Sequence, residues 1–344
     1  MAEEAKKIVT LGEIMLRLST PGQNRIVQSN SFDINYGGGE ANVAVSLANY
    51  GDEAWFVSKV PEHEVGQAAI NELRKYGVHT EFMERGGERL GIYFLETGAS
   101  MRPSNVIYDR AHSSISEANV SDFPWAKIFK GKDWFHFTGI TPALGKKAQA
   151  ITLAALKAAK KYGVTVSCDL NFRAKLWTSE EARVVMNSYM PYVDYVIGNE
   201  EDADKCLGFK PEGTDVNTGK LSVDGYKQMF EAMVRKYNFK GAACSLRESH
   251  SATYNGWSGL LYKDGQFYQS KHYDINPIID RVGGGDSFAS GLIYGLLHLS
   301  NQEAIDFAIA ASALKHTIPG DLNHESLKEV MKLMGGDASG RVQR

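Results

Sequence analysis

Residues 280–291 read DRVGGGDSFASG, three glycines running straight into an aspartate. Beyond them Phe288, Leu292, Leu296 and Leu299 fall on one stripe at helical spacing, which predicts a helix beginning near Asp286. A turn alone rarely needs three glycines. The start of a helix leaves backbone N–H groups unpaired and carries partial positive charge. Glycines let those groups converge and let an anion come close. Such a nest suits a phosphoryl group whose negative charge grows in a transition state. Asp286 beside it is suited to take a proton from a hydroxyl that attacks the group. The simpler alternative makes Asp286 a helix cap and the glycines a tight turn. The motif alone does not separate the two.

Outward from this stretch, strand and helix patterns alternate. KIVTLG, AWFVSKV, DWFHFTG, VTVSCDLN, DYVIGN and GAACSLR read as strands. EANVAVSLANYG, VGQAAINELRKYGV, KKAQAITLAALKAAKKYG, SEEARVVMNSYMPYV and VDGYKQMFEAMVRKYN read as helices, the first stopping at Gly51. From Asp286 on, two or three more helices follow. This order predicts an α/β domain with a mainly parallel sheet between helical layers, spanning 1–335, with a frayed tail at 336–344. Two regions break the rhythm, at about 16–36 and 91–112. Each reads as a pair of strands. Together they make either one small sheet over an edge of the main domain, serving as lid and dimer surface, or two ordinary hairpins.

The chain has 344 residues and a formal net charge of -3. That length suits one large domain, and the near-neutral balance gives no support for a nucleic-acid or membrane-surface partner. Cys168, Cys206 and Cys244 lie far apart, without metal-ligand spacing. They read as buried thiols of a reducing compartment. The charged N-terminal residues do not read as a signal peptide, and no apolar run reaches spanning length. The expectation is a cytoplasmic protein.

GxxxxGK[ST], GxGxxG after a strand, GxSxG and HExxH are all missing, so any ATP site follows another design. A second glycine motif, YGGGEANVAVSLANYG from Tyr36, lies some 240 positions before the first. This pair, in this order, resembles the two signatures of the PfkB/ribokinase family of sugar kinases. The second signature there is closer to D-T-T-G-A-G-D, so Arg281, Val282 and Gly284 are departures at backbone-driven positions. The resemblance implies a ribokinase-like three-layer α/β/α domain with a β-sheet lid, and an ATP-dependent, Mg²⁺-assisted kinase. It implies Asp286 as base, with Gly283, Gly284 and Gly285 as anion hole. Gly37, Gly38 and Asn42 would meet the sugar. GNEED from Gly198 resembles the family's N-x-x-E motif and assigns Asn199 and Asp202 to magnesium and phosphates. Asp202 is shorter than the usual glutamate and loses reach. Ser245, Arg247, Gly284 and Gly320 would meet the nucleotide. A homodimer or higher homo-oligomer through the lid, and a monovalent cation such as K⁺ near the glycine run, are further implications.

CDLNFR carries a D-x-N-x-R pattern similar to that of 2-keto-3-deoxygluconate kinases, ending in Arg173. The lid region contributes Tyr93, Tyr108 and Arg110. Two arginines and two tyrosines suit a small sugar acid, because guanidinium forks onto carboxylate and a phenol bonds the same group. A neutral hexose or ribose would not need that charge. The alternative leaves Arg110 solvated and the tyrosines packing the small sheet. Arg17 reads as a further acid contact or an edge charge.

Overall fold

The computed structural model describes residues 4–210 and 223–337. Short runs of β-branched and aromatic residues form its strands. In chain order these are β1 (Lys7–Leu11), β2 (Met15–Ser19), β3 (Asp33–Gly37), β4 (Glu53–Val60), β5 (Met83–Arg85), β6 (Gly91–Glu96) and β7 (Asn105–Asp109). They continue with β8 (Trp134–Thr138), β9 (Thr165–Asp169), β10 (Tyr195–Ile197), β11 (Gly241–Ser251), β12 (Tyr254–Lys263), β13 (Gln266–Gln269) and β14 (Tyr273–Ile275). The main sheet runs β13-β12-β11-β10-β9-β8-β1-β4-β5, with β14 on β12. Every neighbour pair from β11 to β5 is parallel. The edge beyond β11 is antiparallel.

Strands with helices on both faces are buried throughout, so they read as apolar runs without alternation. Trp134, Phe135, His136, Phe137 and Thr138 of β8 are all buried. On β1, Val9 and Leu11 join one core and Ile8 the other. The first core takes the helices Lys146–Lys161, Ser179–Tyr189 and Val223–Tyr237. The second takes Gly39–Asn49, Gly284–His298 and Asn301–Lys315. The result is the expected three-layer domain. The chain steps one way from β1 to β4 and the other way to β8, which opens a crevice at the carboxyl ends of these strands.

The two irregular regions do form one sheet, ordered β3-β2-β6-β7, whose central pair β2–β6 is parallel. Leu18 pairs with Ile34 on one side and Phe94 on the other, and Phe94 pairs with Ile107. This row lies on one face. Arg17, Tyr93 and Tyr108 lie on the opposite face, toward the crevice.

The helix expected near Asp286 is present, and the alternative of Asp286 as its cap is not. The helix expected from Asp286 is Gly284–His298, with Gly283 as its N-cap at φ +85. That left-handed conformation favours glycine, so Asp286 stands inside the first turn instead of capping it. The extended edge β12–β14 was not foreseen at all. The proposed frayed tail lies, from residue 338 on, outside the described residues. Among the described residues no helix is long and apolar enough to cross a membrane. Cys168, Cys206 and Cys244 are buried free thiols.

Candidate active site

The two glycine motifs meet at the crevice. Gly38 caps the helix Gly39–Asn49. A Cβ there would stand 1.9 Å from the Glu13 carbonyl oxygen, so only glycine allows this approach. One turn in, the Asn42 Oδ1 accepts the Gly38 N–H at 3.2 Å, and its Nδ2 donates to Asp286 Oδ2 at 2.7 Å. The Asp286 carboxyl is enclosed by protein on all sides but the crevice. Burial pushes its pKa up to about 6, against the pull of the Asn42 hydrogen bond and of Arg173 and Lys315; Asp321 adds to the rise. A carboxylate with that affinity, open on one side, can accept a proton near neutral pH.

The crevice is a cleft of about 610 Å³. Asn42, Asp286, Gly283 and Gly285 line it, together with Tyr93, Tyr108, Arg110, Arg173, Asn199, Asp202, Ser245 and Arg247. The structure therefore brings most of the expected site residues into one space. Gly37, Gly284 and Gly320 are the exceptions. Gly37 leaves room for Asp321, whose Cβ would lie 2.5 Å from an added methyl. Gly284 packs against His316, and the Gly320 N–H donates to Asp280 at 3.0 Å. These three shape the walls from behind.

At the sugar end the expected free arginine pair is only half free. Arg110 is buried and its Nε donates to Glu13 Oε2 at 2.8 Å, with Nη2 on the same oxygen. Its charge is thus matched within the protein. Arg173 is exposed to the cleft, and among the described residues it donates only to the neighbouring Phe172 carbonyl, at 3.2 Å. The Tyr93 hydroxyl donates to Asp321, so it too is engaged, whereas Tyr108 packs beside it with ring centroids 5.9 Å apart. Arg17 is neither an acid contact nor an edge charge. It is buried, donating to Asp321 at 2.7 Å and to Asp280 at 2.5 Å. This fixes the small sheet to both flanks of the glycine run.

Asn199 and Asp202 form a capping box at the helix Glu200–Leu207. The Asn199 side chain accepts the Asp202 N–H at 2.9 Å, and Asp202 accepts the N–H groups of Asn199 at 3.3 Å and Phe172 at 2.8 Å. Burial still raises Asp202 to about 6. Asp169 is pushed well above the usual carboxylate range, first by burial and then by the charges of Asp202 and Asp286. Among the described residues no group of three or more His, Cys, Asp or Glu could hold a metal ion by itself. A divalent ion fits here as part of a metal–nucleotide, bound by phosphate oxygens, water and one carboxylate, the usual habit of Mg²⁺. A cation would also relieve the repulsion among Asp169, Asp202 and Asp286.

Sequence reasoning quoted Asp169 within the D-x-N-x-R pattern without giving it a role, and assigned none to Glu40, His316 or Asp321. Glu40 is buried and accepts from the Thr138 N–H and hydroxyl, both at 2.9 Å, and from Thr141 at 2.7 Å; burial lifts its pKa to about 7. It ties the helix Gly39–Asn49 to the end of β8. A charged residue opening an otherwise apolar helix was the available signal. His316 lines the cleft, and its Nδ1 bonds the Ser312 carbonyl at 2.7 Å.

The chain was compared with known proteins. The sequence pattern of the pfkB family carbohydrate kinases matches residues 5–326. The crystal structure of 2-dehydro-3-deoxygluconokinase from Thermotoga maritima superposes with a TM-score of 0.93 at 55% identity, covering 96% of this chain and 100% of that one. A 2-dehydro-3-deoxygalactonokinase from Haloferax volcanii is 30% identical over 96% of this chain and 98% of its own length. A 2-dehydro-3-deoxygluconokinase from Bacillus subtilis is 27% identical over 92% and 91%. With its fold, both glycine motifs and nearly its whole length accounted for, the chain belongs to the pfkB family of carbohydrate kinases.

Proposed function

We propose that this kinase transfers the γ-phosphoryl group of ATP to the terminal hydroxyl of 2-keto-3-deoxygluconate (2-dehydro-3-deoxygluconate), giving 2-keto-3-deoxy-6-phosphogluconate. The observation that carries the reading is the Asp286 carboxylate, open to the cleft in the first turn of a glycine-started helix, with Arg173 lining the same cleft. The substrate hydroxyl loses its proton to an Asp286 oxygen as its own oxygen bonds the γ-phosphorus. The bond from that phosphorus to the bridging oxygen breaks, and ADP leaves with the electron pair. The N–H groups at Gly283 and Gly285 take up the charge of the transferring group, whereas the expected donor Gly284 spends its N–H on the Arg281 carbonyl at 3.2 Å and only shapes the turn. Asp202 and Asn199 would hold Mg²⁺ arriving with the nucleotide, which would supply neutralisation of phosphate charge. Ser245 and Arg247 lie on the nucleotide side.

Arg173, Tyr108 and Arg110 recognise the acid, Arg173 carrying most of the charge because Glu13 already matches Arg110. Gly38 and Asn42 floor the sugar site. The small sheet acts as a lid that excludes water from the transfer. Its outer row, with Ile34 64% and Ile107 48% exposed, is the face a second copy would cover, giving a homodimer or higher homo-oligomer. Three buried free thiols suit a cytoplasmic setting.

The galactonate epimer is the second reading, favoured by the name of the Haloferax relative. ADP release with Mg–ATP is the test, across 2-keto-3-deoxygluconate, its galactonate epimer, gluconate, fructose and ribose. Turnover confined to the keto-deoxy acids is expected. Preference for fructose or ribose would remove the arginine reading and leave Asp286 in place. Silence on every sugar would sink the transfer site.

A further inference from the structure

Lys315 ends the helix Asn301–Lys315 and has no solvent exposure. A lysine ordinarily keeps its ammonium in water while its stem packs, so a wholly buried one needs compensation nearby. Its Nζ donates to the Ile318 carbonyl at 3.1 Å, at a helix end where the backbone dipole favours a cation. Burial lowers its pKa; Asp280, Asp321 and Glu325 work against that fall through space, and Arg17 adds to it. The side chain passes directly behind the glycine run. A Cβ on Gly283 would lie 3.2 Å from Lys315 Cε and 2.1 Å from the Asp321 carbonyl oxygen. The charge of Lys315 is felt at Asp286, where it favours the ionised carboxylate.

The carboxylate oxygens around this position already have protein donors. Asp280 accepts from the N–H of Val282 and of Gly320, each at 3.0 Å, and from Arg17 at 2.5 Å. Asp321 accepts from Arg17 at 2.7 Å and from the Tyr93 hydroxyl. Two carboxylates thus face two basic side chains, and the Ile318 carbonyl faces an ammonium. An added monovalent cation, the expectation raised for the glycine run, does not fit this set. It would meet two positive charges and carboxylate oxygens that are already committed.

We infer that Lys315 is the resident monovalent cation of the glycine run. Its ammonium holds the 316–321 turn against Gly283 and supplies fixed positive charge behind the anion nest, so turnover needs no K⁺ from solution. Lys315 is a positioning residue, acting through Gly283 and Asp280 and touching neither hydroxyl nor phosphate. The inference rests on the reading of Asp286 and the glycine run as the transfer site.

The wild-type enzyme, assayed with Mg–ATP and the sugar acid in choline, Na⁺ or K⁺ chloride at equal ionic strength, is expected to give rates within about twofold. A K⁺ stimulation of about tenfold or more overturns the inference. Lys315→Ala is expected to lower kcat/KM by about tenfold or more and to regain activity with K⁺ or methylammonium. Lys315→Met, which fills the space without charge, is expected to lose activity without regaining it. Wild-type kcat/KM in Lys315→Met, or a folded Lys315→Ala that no small cation restores, assigns the side chain to packing and overturns the proposal. If both variants unfold, the wild-type cation series decides. Silence of the wild type on every sugar would sink the transfer site itself, a different result from dependence on K⁺.

Discussion

The Asn42 amide donates to the Asp286 carboxylate at 2.7 Å, joining two motifs 244 positions apart in the chain. The bond has a chemical consequence as well as a structural one. It favours the ionised carboxylate, whereas burial, the larger influence, favours the neutral acid and sets the pKa at about 6. A base must be ionised to act, so kcat/KM should rise with pH through about 6 and level off above it. Asn42→Ala removes a bond to the charged form and should move this limb to higher pH. A limb that stays in place would remove Asp286 as its origin.

Asp286→Asn keeps the shape of the side chain and cannot accept the proton. Turnover should fall by about 10²- to 10⁴-fold while calorimetric binding of the sugar acid persists. Near wild-type turnover would exclude the base role.

The two cleft arginines should behave differently. Arg173 is exposed to the cleft, and Arg173→Ala should raise KM for the keto acid by roughly 10- to 100-fold, the loss of one charged hydrogen bond. Arg110→Ala should also lower the melting temperature, because it leaves Glu13, 4% exposed, without its guanidinium. Steady-state kinetics beside thermal melts separate the two effects. An unchanged KM in Arg173→Ala would contradict the acid-recognition role.

Within the glycine run, position decides the kind of damage. Gly283 sits at φ +85 with the Asp321 carbonyl where a methyl would go, so Gly283→Ala should lower the melting temperature. An added Cβ at Gly285 meets nothing within 4 Å. Gly285→Ala should melt like the wild type and raise KM for ATP, since its methyl intrudes only on the cleft. Equal melting temperatures for the two variants would contradict the geometry.

Arg17 is 2% exposed and bridges Asp280 and Asp321. Arg17→Met should destabilise the fold by about 3–5 kcal/mol, because it removes the one guanidinium bonded to both buried carboxylates and leaves Lys315 as their basic neighbour. Denaturant titration measures it, and a change below about 1 kcal/mol would mean that solvent reaches the pair.

The parts of the molecule legible in its sequence are those set by periodicity and by backbone chemistry. The parallel strands and their helices announce themselves through unbroken apolar runs and helical stripes, and the transfer site through two glycine clusters. Side-chain pairing across the fold leaves no such trace. Nothing local to Arg17 or Arg110 says that one meets Asp280 and Asp321 and the other Glu13, since those partners lie up to 304 positions away. The antiparallel edge is a different matter, because its signal was present. Asp264 and Gly265 both adopt positive φ in the tight turn between β12 and β13, and Asp-Gly between apolar runs is a strong hairpin cue. Asn199 and Asp202 could likewise have been read as a capping box from their spacing alone.

The small sheet has one more consequence, for the order in which the molecule assembles. Its central seam pairs Met15 with Gly91, so the halves are separated by a stretch of chain that itself contributes β4 and β5 to the main sheet. Closing that seam carries the loop entropy of a long-range parallel contact, which is cheapest once the intervening segment is already folded. The hairpin halves should therefore join late in folding. Amide protons along β2 and β6 should gain protection after those of β1 and β4, a timing that pulsed hydrogen exchange can follow residue by residue.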